Sequence, residues 1–149
     1  MKRFEFPLEQ VLKYKTHLQK NEKAILLGLQ TKHETLLTQR ESLAARLSGC
    51  CREYAALCLK GAAVREIVNY AIYLEELRRQ LERLEEALRQ SQEAVDRQAQ
   101  KVVAAYKDKR GLEILKDKQT ELYFAMAQRE EERSMEEFIM AANPVAVWR

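Results

Sequence analysis

Proline and glycine are nearly missing from this chain of 149 residues, which has two prolines, Pro7 and Pro144, and four isolated glycines, Gly28, Gly49, Gly61 and Gly111. Sheet proteins need more turn residues than that, so a β or mixed globule is not expected. Aromatic residues are also scarce, at 7%, too few for a thick core. No apolar run approaches the roughly 20 residues of a membrane span. The opening MKRFEFPLEQ has no apolar stretch of the kind a secretory signal carries. Three cysteines, Cys50, Cys51 and Cys58, are odd in number and crowded together, a poor disulfide framework that reads as free thiols in a reducing compartment. Excess charge of one sign is small, at +3, and demands neither nucleic acid nor an anionic membrane as partner. What the chain does have is charge of both signs, 33%, together with much Ala and Leu. That composition suits narrow seams between helices.

Spacing gives the seams. Ile67, Tyr70, Leu74, Leu77, Leu81, Leu84, Leu88, Ser91, Val95, Gln98, Val102 and Ala105 step alternately by three and four, the pattern of a helix packed along one line. Opposite charges one turn apart, Glu75 with Arg79, Arg78 with Glu82 and Glu85 with Arg89, are expected on its outer faces. Upstream, Leu26, Leu29, His33, Leu36, Arg40, Leu43, Leu47, Cys50, Tyr54 and Leu57 form a second ladder. Read backwards from Leu57, it steps in phase with the first read forwards from Ile67. This predicts an all-α fold, a long antiparallel two-helix coiled coil in which facing residue numbers sum to 124. Tyr54 then faces Tyr70, Leu43 faces Leu81 and His33 lies near Ser91.

The expected bounds are a single hairpin over 1–149, with a first helix over about 7–59, a turn over about 60–63 and a longer second helix over about 64–141. Gly61 is the expected stop, because glycine accepts a left-handed backbone, and Pro7 fits the opening turn. Gly49 is expected inside the first helix. Before Leu26 the apolar stripe that fits best is Leu8, Val11, Leu18 and Ile25, which implies a shift of the seam by four residues. The second helix is expected to overhang from near residue 116, leaving Leu122, Tyr123, Phe124, Met126, Met135, Phe138 and Ile139 without an intrachain partner. Near Asn143 and Pro144 it should end, with 142–149 as a tail.

Residues for chemistry are few. His17 and His33 have no metal-ligand spacing, there is no CxxC pair, and no glycine-rich phosphate loop exists. His33 and Cys50 read as seam residues, and Arg40 as a side chain that reaches past the seam to water. The carboxylates Glu130, Glu131, Glu132, Glu136 and Glu137 read as a solvated face, with no pocket to raise a pKa. The expectation is a non-enzyme with no cofactor and no metal. Charge placement says more. Lys2 to Lys23 and Lys101 to Lys118 each hold six basic and three acidic side chains, and the hairpin register sets them side by side before an acidic stretch from Glu130 to Glu137. A binding role for this end follows, since like charges set together cost stability without a partner. Tyr73, beside the seam near the turn, either covers the core edge or offers a contact.

Three stretches together resemble the FliJ family of flagellar export proteins. FEFPLEQVLKYK is similar to that family's opening, NYAIYLEEL to its element after the turn, and LKDKQTELYFAMAQREEERSMEEF to its C-terminal pattern, although Glu-Glu-Arg-Ser stands before Met135 where lysines are common and VAVWR has no counterpart. The resemblance implies a component of the type III export apparatus, cytoplasmic and peripheral at the inner face of the cell membrane. It would act as a central-stalk-like coiled coil that binds a hexameric flagellar export ATPase and promotes its assembly or turnover. It would also link that ATPase to the cytoplasmic domain of the membrane export gate and to export chaperones. Neither nucleic acid nor direct membrane insertion is implied. By that analogy Phe4, Phe6, Leu8, Leu12, Met135 and Phe138 would meet the ATPase, and Tyr70, Tyr73, Leu74 and Leu77 the gate. The alternatives are a self-associating structural coiled-coil adaptor and the equivalent stalk of a related secretion injector.

Overall fold

The structure, a computed structural model, describes residues 2–142. The tail expected over 142–149 therefore lies outside the described residues except for Ala142, the last residue of the second helix. Two helices make up the described chain, α1 over Glu9–Lys60 and the longer α2 over Val64–Ala142. They fold back on each other as an antiparallel hairpin, as the paired ladders require. Cross-helix contacts carry the register: the rings of Tyr54 and Tyr70 stack with centroids 6.1 Å apart, and His33 Nδ1 lies 3.1 Å from Ser91 Oγ. Both pairs sum to 124, as the ladders predict.

The reversal is built from backbone chemistry. Gly61 adopts φ 68°, a left-handed conformation open to glycine without a side-chain clash. There the Gly61 N–H donates to the Cys58 carbonyl at 3.4 Å and the Ala62 N–H to the Leu57 carbonyl at 3.2 Å. This 5→2 and 6→1 pair satisfies carbonyls that the end of α1 would otherwise leave open. The Ala63 carbonyl then accepts from the N–H groups of Glu66 and Ile67 to start α2. At the other end α1 begins at Glu9, two residues later than expected. Pro7 and Leu8 form a turn in which the Glu9 N–H donates to the Phe6 carbonyl at 3.1 Å and the Leu12 N–H to that of Leu8 at 2.9 Å. Lacking an N–H, Pro7 fits this entry without a lost bond.

The hairpin packs as two compact units, a turn unit over 21–103 and a terminal unit whose described residues are 2–20 and 104–142. In the turn unit the core is Leu74, Leu77 and Leu88, with Leu77 only 2% exposed. The apolar ladder of α1 contributes half-buried side chains from Leu26 to Leu57, while Arg40 is exposed. Two polar interruptions of the α2 ladder, Ser91 and Gln98, are the positions that bond across the seam. Ser91 meets His33, and Gln98, 6% exposed, donates its amide to the Glu22 backbone carbonyl at 3.0 Å and to the Glu22 carboxylate. A buried amide with partners avoids most of its desolvation cost.

In the terminal unit Phe6, Leu12 and Ala105 are buried. Here the seam departs from expectation. Leu8 and Val11 are exposed, as is Ile25 at the start of the turn unit, while Leu18 is half-buried, as are Lys15, Thr16 and Gln19. Counting back from Leu26 by the same three-four alternation reaches Glu22, Gln19, Lys15 and Leu12, so the ladder keeps its phase and no four-residue shift occurs. Polar side chains on this ladder find partners, Lys15 with Asp108 at 3.5 Å and Glu22 with Gln98, and off the counted positions Glu9 pairs with Lys116 at 2.9 Å. The surface pairs on α2 also differ from expectation, being Arg78 with Glu75, Arg79 with Glu76, and Arg89 with Glu86 and Glu93. Long helical side chains lean toward the N-terminal turn, which favours the glutamates three residues back, while Arg89 also reaches Glu93 four residues ahead.

Candidate functional site

Two surfaces hold the residues singled out from sequence, one in each unit. In the terminal unit the segment before Pro7 lies along α2. Phe4 packs its ring 5.3 Å from that of Tyr123 at 44°, and the Tyr123 hydroxyl donates to the Lys2 carbonyl at 2.7 Å. Phe6 is buried beneath this clasp and Leu12 continues it as core. Tyr123 thus has an intrachain partner, and the unpaired part of α2 begins beyond it rather than near residue 116. A non-helical strap of five residues, which a search for helical periodicity does not register, covers that stretch.

Beyond Ala127 every described side chain to Ala142 is exposed. The ladder of α2 carried forward meets Glu130, Arg133 and Glu137, so the seam becomes charged. Met135, Phe138, Ile139 and Ala142 form a separate stripe at spacings of three, four and seven residues, on another side of the helix. Phe138 is 73% exposed and lies about 22 Å past Tyr123 along α2, at roughly 1.5 Å per residue. The six candidates of this end therefore separate. Phe6 and Leu12 are core, Phe4 is half-buried in the clasp, and Leu8, Met135 and Phe138 face water, the last two apart from the others. Around the clasp the terminal unit carries ten basic and five acidic side chains over 2–20 and 104–118, and five glutamates against two arginines over 129–137.

In the turn unit Leu74 and Leu77 are core, whereas Tyr70 is half-buried and Tyr73 is 45% exposed. Tyr54, Tyr70 and Tyr73 form an aromatic row, with Tyr73 edge-on to Tyr70 at 6.2 Å. The Tyr70 hydroxyl donates to Glu53 Oε2 at 2.5 Å, and this bond, helped by burial, pushes its phenol well above the ordinary range. Tyr73 thus both edges the core and leaves a face free. Farther from the turn than this row, an open groove of about 680 Å³ is lined by residues of both helices, among them Leu43, Arg46, Arg83 and Leu84. Four more exposed apolar residues, Leu59, Val64, Val68 and Ile72, flank the turn. Sequence reading passed over them. The signal was present, as they are the larger aliphatic residues near the turn that lie off the three-four ladder.

No group of three or more metal-ligating side chains is found among the described residues, and Cys50, Cys51 and Cys58 are free thiols. No described helix is long and apolar enough to cross a membrane. Apolar side chains are displayed in water on the turn unit and, separately, along the end of α2. A family model described as "Flagellar FliJ protein" matches residues 4–143. The chain belongs to the FliJ family. The family match makes it a flagellar export-associated protein. No curated protein and no solved structure matches it.

Proposed function

We propose that this FliJ-family chain acts in the cytoplasm as a stalk-like coiled coil of the flagellar export apparatus, without chemistry of its own. It binds the hexameric export ATPase, biases its assembly or turnover, and connects it to the export gate and to export chaperones. The observation that supports this reading best is the overhang of α2, where Met135, Phe138 and Ile139 are all more than half exposed on a stripe turned away from the hairpin seam. An apolar stripe left in water on a charged helix is costly to display and marks a contact. Such a contact acts by differential binding: it shifts ring states only as far as it prefers one of them. Phe6 and Leu12 serve the contact by fixing the base of the overhang, and Leu8, Met135 and Phe138 meet the ATPase, with Phe4 at the edge of the clasp. On the turn unit Tyr73, backed by Tyr70, Leu74 and Leu77, faces the gate.

The test is direct. Phe138→Asp, at a site with no core to disturb, should leave helicity unchanged and weaken binding to the purified export ATPase at least tenfold, with loss of any stimulation of turnover and ring formation. An ATPase whose turnover and assembly ignore the wild-type chain contradicts the stalk reading. Equal binding by the variant removes the overhang from it.

A further inference from the structure

The turn itself carries a surface that the export reading does not use. Leu59, the last apolar residue of α1, is 89% exposed, and Val64, the first residue of α2, is 76% exposed. Val68 and Ile72 follow at four-residue intervals, 49% and 64% exposed. None of them belongs to the seam, and the three residues of the turn, Gly61, Ala62 and Ala63, are small. The hairpin therefore ends in a convex apolar apex.

Cations surround it. Lys60 and Arg65 stand next to Leu59 and Val64, and Arg52 lies two turns back on α1. All three are exposed, and none enters an ion pair among the described residues. Between Glu53 and Glu66 there is no acidic residue, and the Glu53 carboxylate is engaged by the Tyr70 hydroxyl. Glu66, exposed in the first turn of α2, is the one opposing charge at the apex.

We propose that this apex docks on the surface of an anionic lipid bilayer. A second copy of the chain is a poor occupant. Four aliphatic side chains remove at most about 480 Å² from water, short of the roughly 800 Å² per partner of a stable protein interface. A convex tip has no groove to receive a helix. A bilayer surface asks for what is present, namely aliphatic side chains that enter the boundary between headgroups and acyl chains, and lysine and arginine at the level of the phosphates. Val68 sits about 6 Å behind Val64 along α2, within the roughly 5–10 Å depth of such shallow contacts. The contact needs no membrane span and is independent of ATPase binding, though it departs from the sequence expectation of no membrane insertion.

The experiment is sedimentation of the full chain with vesicles of phosphatidylglycerol and phosphatidylcholine, against vesicles of phosphatidylcholine alone. The wild type should sediment with the anionic vesicles and stay in solution with the neutral ones. The double variant Leu59→Asp/Val64→Asp, helical by circular dichroism, should lose about a hundredfold or more in affinity. Lys60→Gln should weaken binding about fivefold, and Glu66→Gln should strengthen it by a similar factor. Two results overturn the proposal: no sedimentation with anionic vesicles, or binding that the double variant retains, which would assign the attraction to the basic terminal unit. Concentration-dependent association of the wild type through the apex, with no vesicle binding, would overturn it in favour of a second copy.

Discussion

The two units of the hairpin are held together by different means. In the turn unit an apolar ladder closes on itself, Leu74, Leu77 and Leu88 are almost sealed from water, and the two polar layers complete their bonds across the seam through Ser91 with His33 and Gln98 with Glu22. In the terminal unit the α1 side of the seam reads Leu12, Lys15, Thr16 and Gln19. Cohesion there comes from cross-helix ion pairs, Lys15 with Asp108 and Lys116 with Glu9, and from the aromatic clasp of Phe4 and Phe6 on α2. Exposed ion pairs contribute little, typically about 0–1 kcal/mol each, so the clasp together with the buried Leu12 and Ala105 carries most of that unit. The contrast teaches that the turn unit is the stable scaffold and the terminal unit the part that opens at low cost, which suits the end proposed to engage a ring that changes state.

Three substitutions sharpen or break this contrast. Leu77→Ala should have the largest effect, about 3–4 kcal/mol, because it leaves a cavity at the most enclosed position. Urea unfolding followed by circular dichroism would show it as a lower midpoint, and an unchanged midpoint would mean that the turn-unit ladder is not the scaffold. Phe6→Ala should cost roughly 2–3 kcal/mol, felt locally. Hydrogen exchange should quicken around Tyr123 while the amides around Leu77 keep their protection, and loss of protection in both regions would show that the units are not separable. Gly49→Ala should stabilise by about 0.5–1 kcal/mol. The added methyl meets nothing within 4 Å, and a fall in melting temperature would mean that this stretch of α1 needs glycine.

Much of the scaffold was legible because its residues carry the signal themselves. Two ladders stepping in phase in opposite directions fixed the pairing of Tyr54 with Tyr70 and of His33 with Ser91, and Gly61 marked the turn. The terminal unit was less legible for a physical reason. Counting apolar residues selects Val11 there and Ile25 at the start of the turn unit, which the structure leaves in water, because Lys15 and Glu22 hold seam positions by bonding across rather than by being apolar. The clasp was invisible to periodicity, since Lys2 to Phe6 is neither helix nor strand. Of the candidate contact residues, Leu74 and Leu77 were already seam positions in the ladder, whereas spacing did not set the depth of Phe6. Leu74, Leu77, Phe6 and Leu12 are core, and the apolar residues most open to solvent at the turn, Leu59 and Val64, were passed over because they lie outside the ladder.

Cross-linking tests the antiparallel register most directly. In a background with Cys50, Cys51 and Cys58 replaced by serine, the pair His33→Cys and Ser91→Cys should form a disulfide within one chain under mild oxidation, seen as faster migration of the monomer on a non-reducing gel. The pair His33→Cys and Leu84→Cys, seven residues out of register, should not. Efficient closure of the second pair with failure of the first, or links formed only between chains, would contradict the fold from which every surface described above is built.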